Sequence, residues 1–337
     1  MSDLVLLTGA SGFIAGHIVK QLFEQGYKVL GTVRSDAKGE FIKKQYPDFE
    51  YEIVTDISTP SAFDAVFQAH PDIKYVLHTA SPFHFQGNDP EKELLIPAIN
   101  GTKSALSAAH KYGANVKKIV ITSSFAAMVQ YPFNLDDPNF VYTEKNWNNI
   151  TYEEAKTNNV LGYFASKTFA ERAAWDFLEA EKPKFTITTI QVPYVFGPPI
   201  NDITLKNLNT SNQIIQSVLT NSSDLELPGS PLLYVDVRDV AATHITAMTN
   251  AGLDNKRCFS STGVANNQLL LDTLRKVRPQ YTEGLTNVGV PGSFDPANFV
   301  KFDNSESQKY LQLKYKTLEE TVADTADRLK ELAKESN

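Results

Sequence analysis

The stretch LVLLTGASGFIAGHIVKQLFEQGYKVLGTVRS, Leu4 to Ser35, constrains this chain more than any other. It reads as an apolar strand, a glycine turn, an amphipathic helix and a second strand, the order of a βαβ unit. Gly9 permits the tight turn, Gly12 lets a phosphate approach the backbone, and Ala15 takes the third position, where a small residue suffices for close packing. Free N–H groups and the dipole at the helix start favour an anion there. Thr8, Gly9, Ser11, Gly12, Phe13 and Ile14 are therefore candidate cofactor contacts. The bland alternative is an ordinary strand-to-helix turn.

The end of the second strand bears on which dinucleotide is bound. An acidic residue there would hydrogen-bond the ribose hydroxyls of NAD, but this chain has TVRSDAK, with Arg34 at that position and Lys38 one turn on. A planar guanidinium and an ammonium suit a 2′-phosphate, so NADPH/NADP+ is the expected cofactor. Asp36 counts slightly against it.

YKVLGTV, FEYEIV, KYVLHTA and VKKIVITSS follow as apolar runs, each separated by a segment long enough for a helix. Strands apolar on both faces, alternating with helices, imply a parallel sheet covered on both sides. The fold class expected is α/β, a Rossmann-type doubly wound parallel sheet with a smaller, discontinuous C-terminal substrate lobe. Residues 1–185 are read as the NADP-binding domain, with later strands returning to it, and 186–337 mainly as the substrate lobe. Beyond FTITTIQVPYVFGPP the chain is polar and turn-rich as far as about Tyr234.

Composition narrows the function classes. With 337 residues, 42% hydrophobic and 21% charged, the chain can bury a large core. Its net charge of −7 and lack of a Lys/Arg run argue against nucleic acid or an acidic membrane surface as partner. No apolar run reaches transmembrane length, and MSDLVLLTGA has the pattern of neither a signal nor a transit peptide, so a cytoplasmic location is expected. The six histidines show no metal-ligand spacing, and Cys258 alone cannot form an internal disulfide. A monomer and a homodimer are equally compatible with the sequence.

The segments TGASGFIAGH, HTASPF, ITSSFAAM, YFASK, PYVFGP and YVDVRDVA occur in that order. Together they resemble the extended short-chain dehydrogenase/reductases. The likeness is to the branch of dihydroflavonol reductases, cinnamoyl-CoA reductases and fungal NADPH-dependent methylglyoxal, ketone and aldehyde reductases. The resemblance implies a catalytic Ser124, with Ser123 as the weaker alternative, and a Tyr and Lys from the next long helix. It further implies that Thr79, Ala80 and Ser81 border the adenine and ribose, that Asp56 and Ile57 take the adenine edge, and that Thr122, Pro193 and Val195 flank the nicotinamide end. Asn100 would relay protons to the Lys, or else be an exposed helix Asn.

Three Tyr-x-x-x-Lys pairs are present, at Tyr152/Lys156, Tyr163/Lys167 and Tyr310/Lys314. A phenol of ordinary pKa about 10 needs a nearby ammonium to approach working pH. Glu153 and Glu154 would push Tyr152 the wrong way, and Tyr310 lies far downstream of the sheet. Tyr163 and Lys167 enclose Phe-Ala-Ser, whose small pair leaves room for a cofactor, so this pair is assigned the chemistry and cofactor contact.

Phe83, Phe85, Phe125 and Tyr194 sit at C-terminal ends of strands, where ligands of such sheets bind. They are the candidate substrate wall, for a small-molecule carbonyl compound; the alternative is that some merely fill the core. The function expected is NADPH-dependent reduction of small to medium aldehydes, ketones or 2-oxoaldehydes. A nucleotide-sugar epimerase or dehydratase and a non-catalytic NADPH-binding protein are the alternatives.

Overall fold

The computed structural model describes residues 2–81, 88–133 and 135–335. Along the chain run β1 (Leu4–Thr8), α1 (Phe13–Glu24), β2 (Lys28–Val33), α2 (Asp36–Gln45), β3 (Glu50–Ile53), α3 (Asp64–Ala69) and β4 (Ile73–His78). Then come α4 (Ile96–Tyr112), β5 (Lys118–Ser124), β6 (Val141–Tyr142), α5 (Tyr152–Ala155), α6 (Asn159–Glu181), β7 (Thr186–Val192) and β8 (Tyr194–Phe196). The remainder comprises α7 (Thr210–Thr220), β9 (Leu232–Asp236), α8 (Val237–Thr249), β10 (Lys256–Phe259), β11 (Gly263–Ala265), α9 (Asn267–Val277), β12 (Lys301–Phe302), α10 (Ser305–Leu311) and α11 (Leu318–Glu335).

Seven strands form one sheet in the order β10-β7-β5-β4-β1-β2-β3, every pair parallel. This is the doubly wound, Rossmann-type α/β fold expected. β1 is buried at all five positions, the pattern of a strand covered on both faces. One face carries α1 and α8, which bury Ile18, Leu22, Val240 and Ile245 against Val5, Leu7 and Val120. The other carries α3, α4 and α6, with Leu106, Ala109 and Ala174 against Leu6, Ile119 and Ile187.

The chain changes direction between β1 and β4, so the segments that follow them leave toward opposite faces of the sheet and open a crevice beyond the two strand ends. A second sheet, β11-β9-β8, packs with α7, α9 and α11 around its own core of Phe196, Ile215, Leu271 and Leu329. The part after residue 185 is interleaved with the main sheet, because β7 and β10 belong to the seven-stranded sheet. The expectation of turns from Pro198 to Tyr234 misses α7, whose polar start NTSN precedes the apolar QIIQSVL. No helix among the described residues is long and apolar enough to cross a membrane.

Candidate active site

Two cavities open along the C-terminal edge of the main sheet. The larger, about 670 Å³, is lined by Gly9, Ser11, Gly12, Arg34, Lys38, Asp56, Ile57, Thr79, Ala80 and Ser81 among others. The smaller, about 290 Å³, takes in Gly12, Phe13, Ile14, Thr79, Ser81, Thr122, Ser124, Tyr163, Lys167, Pro193 and Val195. Gly12, Thr79 and Ser81 belong to both walls, so the two form one cleft.

At the wide end the chain is shaped for a dinucleotide. Gly9 has φ of +68°, and a Cβ there would stand 3.0 Å from the Ala80 Cα, so only glycine fits without strain. Thr8 lies behind this turn rather than on the cavity wall. Its hydroxyl bonds His78 Nδ1 at 2.9 Å and accepts from the Ala80 N–H at 3.1 Å, tying β1 to β4. Thr79 donates to the Thr8 carbonyl at 2.6 Å. Arg34 and Lys38 are exposed at the mouth, and neither side chain has a hydrogen-bond or ion-pair partner among the described residues. Asp56 accepts from both N–H and hydroxyl of Ser58, at 2.8 and 2.7 Å, which holds its carboxyl below the usual range. A glycine cradle with no room for a Cβ and two unpaired cations fit an NADP-type cofactor.

At the narrow end, Tyr163 and Lys167 stand one turn apart on α6, with Lys167 Nζ 5.6 Å from the Tyr163 ring centroid. Lys167 donates to Ser81 Oγ at 2.7 Å. Ser124 closes β5 and caps the turn that follows, its Oγ accepting from the Ala126 N–H at 3.1 Å and its hydroxyl bonding Tyr163. Ser123 also borders the narrow end, but its hydroxyl donates to Glu171 at 2.5 Å. Burial pushes the Tyr163 phenol up to about 12, with the Ser124 hydrogen bond pulling the other way, and pushes the Lys167 ammonium down to about 8. The Lys167 ammonium was expected to bring Tyr163 toward working pH; in this cleft the largest influence on the phenol is burial, which raises it.

The rival pairs are elsewhere. Lys156 is bound to Glu153, and the Tyr310 hydroxyl accepts from Lys256 at 2.9 Å on α10. Asn100 is half-buried on α4, lines neither cavity, and makes no side-chain hydrogen bond with a described residue. Phe83 and Phe85 lie outside the described residues. Phe125 turns into the core instead of the cleft, edge-on to Tyr142 at 4.8 Å and stacked on Phe259 at 5.9 Å. Tyr194 is 42% exposed and near enough for its charge to raise Tyr163 further.

Among the wall residues that escaped the sequence reading are Asn209, Thr210 and Ser211, at the start of α7. The NTSN cluster before an apolar helical repeat was the signal for them. Asn201 was missed as well; its amide donates to the carbonyls of Ser11 and Gly12, at 2.9 and 2.5 Å, strapping the loop after β8 onto the glycine turn.

Known proteins share these features. The profile of the NAD dependent epimerase/dehydratase family matches residues 5–258. The chain is 42% identical over 334 residues to a putative NADPH-dependent methylglyoxal reductase of Candida albicans, covering 96% of this chain and 97% of that protein. It is 41% identical over 335 residues to the NADPH-dependent methylglyoxal reductase of Saccharomyces cerevisiae, again covering 96% and 97%. The crystal structure of the yeast methylglyoxal/isovaleraldehyde reductase complexed with NADPH superposes with a TM-score of 0.93 at 40% identity, covering 98% of this chain and 99% of that one. With a fold and a sequence similar over nearly the whole length, the chain belongs to the NAD dependent epimerase/dehydratase family, beside its fungal NADPH-dependent reductases.

Proposed function

We propose that this protein is an NADPH-dependent carbonyl reductase, converting small to medium aldehydes, ketones and 2-oxoaldehydes to alcohols. One observation carries the reading: a single cleft has unpaired Arg34 and Lys38 at one end and Ser124, Tyr163 and Lys167 at the other. Arg34 and Lys38 would hold the 2′-phosphate, the turn from Gly9 to Ile14 the pyrophosphate, Asp56 and Ile57 the adenine edge, and Pro193 with Val195 the nicotinamide. When bound, the cofactor supplies the hydride that a carbonyl carbon must receive.

The chain supplies orientation and a proton. A carbonyl oxygen placed between the Ser124 and Tyr163 hydroxyls can accept a hydrogen bond from each. As negative charge gathers on that oxygen, the Tyr163 O–H bond breaks and its proton passes to the oxygen. The raised pKa of about 12 keeps Tyr163 protonated and ready for this direction of reaction. Lys167, cationic below about pH 8, stabilises the tyrosinate left behind. The proposal includes a cytoplasmic location and a monomer or homodimer.

Family membership alone does not separate reductase from epimerase; Arg34 and Lys38 favour the former, through the 2′-phosphate. Following NADPH absorbance with a panel of aldehydes, ketones and one UDP-sugar tests the reading. Oxidation of NADPH by simple carbonyl compounds is expected. Turnover of the nucleotide sugar with every simple carbonyl untouched replaces it with the epimerase reading.

A further inference from the structure

Beneath the narrow end of the cleft lies a buried charge that the proposed chemistry leaves idle. Glu171 follows Tyr163 and Lys167 on α6 at successive four-residue steps, which places all three along one side of the helix. It is 2% exposed. Its Oε2 accepts from Ser123 Oγ at 2.5 Å. Its Oε1 accepts from Thr189 Oγ1 at 2.9 Å, Gln191 Nε2 at 2.8 Å and Arg257 Nε at 2.6 Å. Arg257 in turn donates to the carbonyls of Glu144 and Asn146, at 2.7 and 2.5 Å, with its guanidinium 3.8 Å from the Trp147 ring centroid. One carboxylate thus joins α6, β5, β7 and β10.

As a source of stability such a cluster is a poor solution. Desolvating a buried ion costs several kcal/mol, roughly cancelling the attraction, and apolar packing of equal volume commonly does as well. What the cluster does supply is register, since the four donors converging on one carboxylate are satisfied together in only one relative placement of helix and sheet.

The opposite face of the same strand end is held in a matching way. Successive strand residues point to opposite faces. Thr122 bonds His244 Nε2 at 2.7 Å on the α8 side, and Ser123 bonds Glu171 on the α6 side. His244 Nδ1 bonds the Val240 carbonyl at 2.7 Å, so it carries the ring proton and Nε2 accepts from Thr122. The strand is gripped on both faces immediately before Ser124.

We infer that Glu171 is a positioning residue: through Ser123 it locks β5 to α6 and so sets the placement of the Ser124 hydroxyl relative to that of Tyr163. The inference rests on the reductase reading and on Ser124 acting in it. Reacting groups displaced by an ångström lose much of their rate even when every residue is present.

The test is a double-mutant cycle over Ser123→Ala and Ser124→Ala, with kcat and the KM for NADPH measured for all four proteins. Ser123→Ala removes one hydroxyl and leaves Glu171 bound by Thr189, Gln191 and Arg257. Fluorescence of Trp147 and Trp175, the chain's two tryptophans and both in contact with the cluster, checks that the fold persists. The expected result is a kcat lowered about ten- to a hundredfold by Ser123→Ala. The KM for NADPH should stay within about twofold, and Ser123→Ala should cost less than about twofold more in a Ser124→Ala background. An equal loss in both backgrounds, or no loss in either, overturns the inference. A Ser124→Ala enzyme as fast as the parent overturns instead the role given to Ser124, and the inference with it.

Discussion

Burial moves Tyr163 and Lys167, at the narrow end of the cleft, in opposite senses, the phenol up to about 12 and the ammonium down to about 8, and each shift has a measurable consequence. The reduction rate should be level through neutral pH and fall as pH rises past about 8, where Lys167 loses its charge; a kcat–pH profile checks this. For stability the sign is opposite. Unfolded, Lys167 keeps its proton to about 10.4. Above about pH 8 the unfolded state therefore binds more protons, so this group's contribution to cofactor-free stability rises with pH. Tyr163→Phe keeps the ring and removes the donor, so kcat should drop by roughly a hundred- to ten-thousandfold while NADPH still binds. Arg34→Asp should weaken NADPH far more than NADH, in kcat/KM for each cofactor, since a carboxylate repels a phosphate yet can bond a ribose hydroxyl. The Tyr-x-x-x-Lys pair was legible because its rivals have the wrong neighbours. That Ser123 and not Ser124 is turned to Glu171 was not, because Glu171 lies forty-odd residues away and is brought near only by folding. Phe125 misled for a similar reason: the tight turn from Phe125 to Ala127 sends its ring inward, and sequence marks only that a turn is there.

At the scale of elements, the glycine turn and the strap over it depend on atoms that are absent. Gly16 on α1 lies under Asn201, and a Cβ there would stand 1.6 Å from its Oδ1. Gly16→Ala should therefore push the Asn201 amide off the Ser11 and Gly12 carbonyls. Two lost hydrogen bonds at about 1 kcal/mol each predict an NADPH KM raised by about ten- to thirtyfold, with kcat little changed. Asn201→Ala should give the same KM effect, and the two together no more than either alone. Of the first five strands, β1, β2, β4 and β5 were readable as apolar runs between helical patterns, and β3, the edge strand EYEI, by the alternation of its side chains. The second sheet was not, because β8 and β11 have three residues apiece and their partners arrive from distant parts of the chain. A three-residue strand carries too little alternation to stand out from a loop.

The whole molecule is braided. From the main sheet the chain passes at β7 to β8, returns through α8 and β10, and leaves again at β11. The start of β5 is pinned to this return by buried Lys118, which pairs with Asp254 and donates to the carbonyls of Ala247 and Asn250, at 2.9 and 2.7 Å. A fragment ending at residue 185 would lack β7, β10 and α8, and so about half of the apolar layer that α1 and α8 form on the sheet, with Ile187 missing from the other. It should fail to give a cooperative urea transition, whereas the full chain should unfold in one step, with circular dichroism and tryptophan fluorescence coinciding. Braiding also governs how such a protein can be recombined with its relatives. A hybrid that takes everything beyond β7 from another parent inherits a main sheet of mixed origin, in which Arg257 from one lineage must meet Glu171 from the other. A single crossover beyond β7 therefore exchanges part of the main sheet together with the second lobe, and the pairing of Arg257 with Glu171 has to survive it.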